Sequence, residues 1–177
     1  MELQQCINER RSVRKYKLSH ISNENIKTLI ESAQKAPSWK NSQVSRYYAI
    51  NTLENKEKFK EFLPEFNQNN TENAGAYIVT TVVNKRSGFD RDGNYSSHLK
   101  DGFQYFDNGL QVENLCLTAH DIVFGTLIMG LYDEKGIRDF LQIPETEIIV
   151  CVISVGVPDI NPTMPQRKNV EDIVKFY

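Results

Sequence analysis

The sequence predicts a mixed β-sheet covered by helices, with α and β elements interspersed along the chain. Two observations carry that expectation. Residues Glu147 to Gly156 enclose Ile148-Ile149-Val150-Cys151-Val152-Ile153-Ser154-Val155, a near-continuous apolar run of the kind found in a strand covered on both faces, and Tyr77 to Val83 reads the same way. Behind Ser22, in contrast, Ile26, Leu29, Ile30 and Ala33 recur at i, i+3, i+4 and i+7, which is the apolar stripe of a helix.

Taken in order, a short helix over Leu3 to Glu9 delivers the basic segment Arg10-Arg11-Ser12-Val13-Arg14-Lys15-Tyr16. Ser22 reads as the N-cap of the next helix, with Glu24 in its first turn, and Pro37 stops it. Tyr47 to Ile50 is a short strand, and Leu53 to Leu63 is a charged amphipathic helix with Phe59, Phe62 and Leu63 turned inward. Asn84 to Lys100, which holds Gly88, Asp92 and Gly93, is a loop long enough for a mobile flap or an insertion. The longest helix is expected over Asp101 to Val123. Beyond Leu110 it carries Val112, Leu115, Leu117, Ala119 and Ile122 on several faces, which invites a subunit interface. Gly125 closes that helix, Thr126 to Met129 forms a short strand, and Asp133 caps a helix over Glu134 to Leu141 with Ile137, Phe140 and Leu141 inward. After the apolar strand, Pro158, Pro162 and Pro165 hold the chain extended, and Arg167-Lys168 leads into a final helix over Val170 to Lys175. No repeat or Pro/Gly/Ser linker divides the chain, so residues 1–177 are expected to form a single domain.

Composition narrows the classes of function. With 177 residues, 40% hydrophobic and 25% charged, the chain is long enough for an ordinary packed core. The formal net charge is only -2 and no half is rich in Lys and Arg, which argues against nucleic acid or an anionic membrane as partner. Cys6, Cys116 and Cys151 are widely spaced among apolar residues without a C-x-x-C pair, the pattern of buried thiols in a reducing cytoplasm. The first residues lack the basic start and apolar run of a signal peptide, and no stretch reaches the roughly 18 apolar residues of a membrane helix. A cytoplasmic protein is therefore expected. His20, His98 and His120 are scattered, and the zinc-protease, serine-hydrolase, P-loop and Rossmann motifs are all missing, so no metal is expected.

What stands out is the placement of cations. Arg10, Arg11, Arg14 and Lys15 lie near the start and Arg167 and Lys168 near the end, and the termini of a compact domain are often close in space. Converging, they would hold a phosphate dianion by charge-assisted hydrogen bonds, with Ser12 as a neutral donor. A solvated basic face is the other reading, and spacing alone leaves both open.

Four blocks in order resemble the nitroreductase family. They are Glu9-Arg10-Arg11-Ser12-Val13-Arg14-Lys15-Tyr16; Ala36-Pro37-Ser38-Trp39-Lys40-Asn41-Ser42-Gln43; Glu113-Asn114-Leu115 on through Ala119-His120 to Gly125-Thr126 and Gly130; and Pro165-Gln166-Arg167-Lys168-Asn169-Val170-Glu171-Asp172-Ile173-Val174. The resemblance implies an α+β sandwich, a mostly antiparallel sheet with helices on both faces, and a homodimer in which each of two FMN sites is built from both subunits. It implies electron transfer from NADH or NADPH through the flavin to a small acceptor such as a nitroaromatic or a quinone, in a ping-pong cycle. Flavin storage or a dedicated conversion, both seen in family offshoots, is the alternative.

By position, the resemblance assigns Arg10, Ser12, Arg167 and Lys168 to the phosphate and ribityl end, with Arg11 in support. Arg14 would approach the flavin N1 and O2 edge, where reduction places negative charge. Pro37, Ser38 and Trp39 resemble the segment that reaches the ring from the partner subunit, followed by the polar Asn41 and Gln43, and Asn67 or Asn70 would contact the flavin edge. Ile128, Met129, Gly130 and Leu131 correspond to backbone beside flavin N5, so no side chain need be catalytic. Several residues depart from the family pattern: Trp39 where a small residue is common, Val44 for a proline, Ile128 for a frequent tryptophan, and Leu131 for a second glycine. Trp39 would either cap or stack at the flavin face or fill the dimer interface.

Overall fold

The computed structural model describes residues 1–177, which run α1 (Leu3–Glu9), β1 (Tyr16–Lys17), α2 (Asn23–Ala33), β2 (Ser45–Ile50), α3 (Leu53–Lys60), α4 (Glu65–Asn70), β3 (Ala76–Val83), α5 (Gly102–Asp121), β4 (Gly125–Met129), α6 (Glu134–Leu141) and β5 (Glu147–Pro158). The apolar run picked out in the sequence is the centre of the sheet. β5 pairs with β3 along one edge and with β4 along the other, and its last residues pair with β1, while β2 lies outside β3. Every strand pair is antiparallel, and the parallel contribution is the single bridge between Ser12 and Thr126.

A bulge sets which side chains face which layer. Thr80 lies opposite Cys151 but Thr81 lies opposite Ile149, so Val150 is the extra residue and the alternation of β5 changes phase there. Ile149 and Val152 therefore face one core, with Tyr77, Val79, Leu127 and the helical Phe59 and Ile137. Cys151, Ile153 and Val155 face the other, where α2 contributes Ile26, Leu29 and Ala33 and α5 contributes Val112, Leu115, Cys116 and Ala119. Each fully buried Leu or Ile of these layers stabilises the fold by roughly 1.5–3 kcal/mol through surface removed from water. The result is an α+β sandwich with helices on both faces. No helix is long and apolar enough to cross a membrane.

Local signals explain most of the boundaries. Ser22 accepts from the Asn25 N–H at 3.1 Å and Asp133 from the Gly136 N–H at 3.0 Å, so both expected caps are made. Three expectations need correction. The helix from Leu53 ends at Lys60, and a separate short helix, Glu65–Asn70, follows Pro64, since proline holds the intervening backbone extended. The helix before Gly125 is ended by Val123 in the left-handed region (φ 67°), and Gly125 begins the next strand. The final helix is only a 3₁₀ turn, Val170–Asp172, with no side-chain cap and no neighbour burying its apolar residues. The 84–100 loop is packed at its base: Ser87, Gly88 and Phe89 are buried, and the Phe89 ring sits 4.7 Å from that of Tyr95.

Gly125 is required for a different reason than a turn. A Cβ there would lie 2.5 Å from Val13 Cγ2 and 3.0 Å from Pro158 Cγ, both held in the layer that joins the N-terminal segment to β4. Gly125→Ala is expected to destabilise the protein by about 1–3 kcal/mol, since neither neighbour can retreat without breaking that docking. Urea denaturation checks this, and an unchanged midpoint would show the contact to be soft.

Candidate functional site

The segment after α1 is held by backbone. Arg10 donates its N–H to Cys6 O at 3.0 Å as the helix cap, and Val13 donates its N–H to Thr126 O at 2.9 Å. Val13 is buried, and in extended chain its neighbours Ser12 and Arg14 point the opposite way. Tyr16 locks the end of the segment: its buried hydroxyl donates to Val13 O at 2.9 Å and so receives the Ser154 hydroxyl, also at 2.9 Å. Burial pushes its phenol well above the ordinary tyrosine range. The other end of the chain arrives beside it, because β5 runs into its pairing with β1 and the Asp159 N–H then donates to Lys15 O at 3.0 Å.

That crossing brings the two cation groups together. Arg10, Arg11, Ser12, Arg14, Pro162, Thr163, Pro165 and Arg167 line one open cavity of about 300 Å³, with no carboxylate among them. Lys168, grouped with Arg167 in the sequence, is exposed and does not line it. Arg10 Nε stands 3.4 Å from Glu113 Oε1 yet too poorly aligned to donate, and Arg11 Nε is likewise buried without a partner. Arg14 and Arg167 reach only backbone carbonyls, each at 3.5 Å, and form no ion pair. Unpartnered guanidinium donors around a cavity free of acid fit a phosphate dianion, which would satisfy buried N–H groups that otherwise carry a desolvation cost.

Next to the cation cavity lies the end of β4. The parallel Ser12–Thr126 bridge carries residues 12 to 14 in the direction that β4 takes toward Met129. Met129 is buried, whereas Ile128 (47% exposed), Gly130 and Leu131 (64% exposed) present a backbone edge, and a Cβ on Gly130 would meet nothing within 4 Å. Buried Asn67 joins them: its Nδ2 donates to Leu131 O at 3.4 Å. Asn70 is half-buried at the end of α4.

Residues 37–43 sit elsewhere in the same chain. Trp39 and Asn41 line a second cavity and Gln43 a third, and neither shares a residue with the cation cavity. Pro37 is exposed, and Ser38 Oγ accepts the Gln43 N–H at 3.1 Å. The segment is tightly wound, with Lys40, Asn41 and Gln43 all at positive φ (46°, 54° and 48°), a conformation that costs non-glycine residues energy. Trp39 packs on Phe103, with ring centroids 4.3 Å apart.

A residue that sequence reasoning missed holds this segment. Asp107, 1% exposed, accepts from the Trp39 N–H at 3.0 Å, the Ser42 hydroxyl at 3.3 Å and the Ser87 hydroxyl at 2.6 Å through one oxygen, Oδ2. Its signal was available: Gln104, Asp107, Asn108 and Gln111 fall on the same helical stripe as Val112, Leu115 and Ala119, and a carboxylate on a buried stripe must have partners.

Comparison with known proteins places the chain among relatives. The model of the nitroreductase family matches residues 7–157. An Archaeoglobus fulgidus protein with the provisional name NADH dehydrogenase/NAD(P)H nitroreductase is 30% identical over 161 residues, which cover 89% of this chain and 86% of that protein. An NADPH-dependent oxidoreductase of Staphylococcus saprophyticus is 26% identical over 84% of this chain, which spans only 61% of that relative. Among solved structures, a provisionally named nitroreductase from Exiguobacterium sibiricum in complex with FMN superimposes with a TM-score of 0.86 at 22% identity, covering 100% of this chain and 98% of that one. A nitroreductase family protein from Clostridium novyi NT gives 0.76 at 23% identity, covering 90% and 86%.

Proposed function

The chain belongs to the nitroreductase family, and from that premise we propose that it is an FMN-dependent NAD(P)H oxidoreductase acting on a small acceptor: a nitroaromatic, a quinone or a related electrophile. The observation that carries this reading is the meeting of Arg10, Arg11, Ser12 and Arg14 with Arg167 around one acid-free cavity. When bound, FMN supplies the hydride chemistry, taking two electrons from NADH or NADPH and returning them to the acceptor. Arg10, Arg11, Ser12 and Arg167 would hold its phosphate. Arg14 would place a fixed positive charge beside the N1 and O2 edge and favour the reduced ring, while the backbone of Ile128 to Leu131 and the Asn67 amide would orient it. Donor and acceptor would take the same face in turn, in a ping-pong cycle.

The second half of the site would come from a second copy of the chain. Within one chain the cation cavity and the Trp39 cavity share no residue, which supports delivery of Pro37, Ser38, Trp39, Asn41 and Gln43 from the partner. Exposed Tyr105 and Phe106 on α5, and Val170, Ile173 and Phe176 beyond the sheet, supply apolar surface for such a homodimer. Anaerobic stopped-flow mixing tests the reading: NADH or NADPH is expected to bleach the flavin absorbance, and a nitro compound or quinone to restore it. Flavin that neither nicotinamide reduces would overturn it.

A further inference from the structure

The 39–42 and 85–91 segments face each other across a cavity of about 490 Å³. Lys40, Lys85, Arg86 and Arg91 line it against a single carboxylate, Asp90. Lys40 pairs with Asp90 at 3.1 Å, while Lys85, Arg86 and Arg91 form no ion pair at all. One wall is aromatic: the half-buried Trp39 ring, with its indole N–H buried and lacking an acceptor. The walls are tied to one support, because Asp107 binds Trp39 and Ser42 on one side and Ser87 on the other. The basic groups thus surround a fixed recess rather than lying along a loose surface loop.

We propose that this cavity takes the adenosine 2′-phosphate half of NADPH and sets a preference for NADPH over NADH. The inference rests on the oxidoreductase reading above, in which the segment holding Trp39 lies at the flavin ring and the donor must extend away from it. NADPH differs from NADH by one phosphate of about -1.5 to -2 charge in place of a hydroxyl. Unpaired Arg86 and Arg91 match such a group with planar, forked donors, and the phosphate would compete with Asp90 for Lys40. The Trp39 ring, packed on Phe103 and carrying Lys40 Nζ 5.5 Å from its centroid, closes one wall of the recess and holds that cation toward it. A hydroxyl would leave the same cations without a counter-charge.

The test uses flavin-loaded protein and calorimetric titration with adenosine 2′,5′-bisphosphate, AMP and inorganic phosphate, beside steady-state kinetics with both nicotinamides. The bisphosphate is expected to bind at least about tenfold more tightly than AMP or inorganic phosphate. In the exposed double variant Arg86→Ala/Arg91→Ala, that advantage disappears. The ratio of kcat/KM for NADPH to that for NADH falls about tenfold, through KM. Equal binding of bisphosphate and AMP, inorganic phosphate binding as tightly as the bisphosphate, or a variant that keeps the preference would each overturn the inference alone. Protein that takes up no FMN would overturn the oxidoreductase reading and this inference with it.

Discussion

Arg10→Ala is expected to bind FMN about ten- to a hundredfold more weakly than the parent chain, with riboflavin affinity almost unmoved. The size follows from position. Arg10 is half-buried, its Nε is sealed from water without an acceptor, and the carboxylate it pairs with, Glu113, is misaligned at 3.4 Å. A phosphate seated there would gain a charge-assisted hydrogen bond from a donor that has already lost its water. Arg167 is exposed and borrows only a backbone carbonyl, so Arg167→Ala is expected to cost less, about three- to tenfold. Its share is screened Coulomb attraction and shrinks as salt is raised. Flavin fluorescence titration at two ionic strengths checks both, and an Arg10 variant of unchanged affinity would move the phosphate elsewhere.

The second large effect is on stability. Asp107→Ala is expected to destabilise the protein by about 3 kcal/mol, because two hydroxyls and one backbone N–H lose their acceptor in a nearly sealed interior. In a chain of this size that is roughly a 6–12 °C drop in Tm. Asp107→Asn keeps an oxygen and is expected to lose about half as much. Trp39 is the single tryptophan, so its emission reports the site directly. Release from Phe103 would shift that emission to the red even before unfolding. A variant that melts with the parent and keeps its emission would show that water replaces the carboxylate at no cost.

Most of the sandwich was legible because its elements are periodic and capped. The β5 run, the i, i+3, i+4 stripe of α2 and the Asp133 cap of α6 each state their structure locally. What the residues did not reveal depends on distant partners. Two-residue β1 exists because Tyr16 is seated on Ser154, 138 positions away, and α4 has no side-chain cap to announce it. Val170–Asp172 failed as a helix because its apolar face meets nothing in the chain. The cation pairing was legible only as two clusters at opposite ends. That they line one cavity is decided by β5 passing into β1, which no local pattern encodes. No local pattern sets Lys40, Lys85, Arg86 and Arg91 apart, because Asp107, which sets their two segments opposite each other, lies at least 16 positions from any of them.

Phosphate recognition by the converging arginines is tested most directly by comparing wild-type affinity for FMN and for riboflavin, since the two ligands share the ring and ribityl chain. FMN is expected to bind at least about a hundredfold more tightly, from two or more charge-assisted contacts. Equal affinities would contradict it.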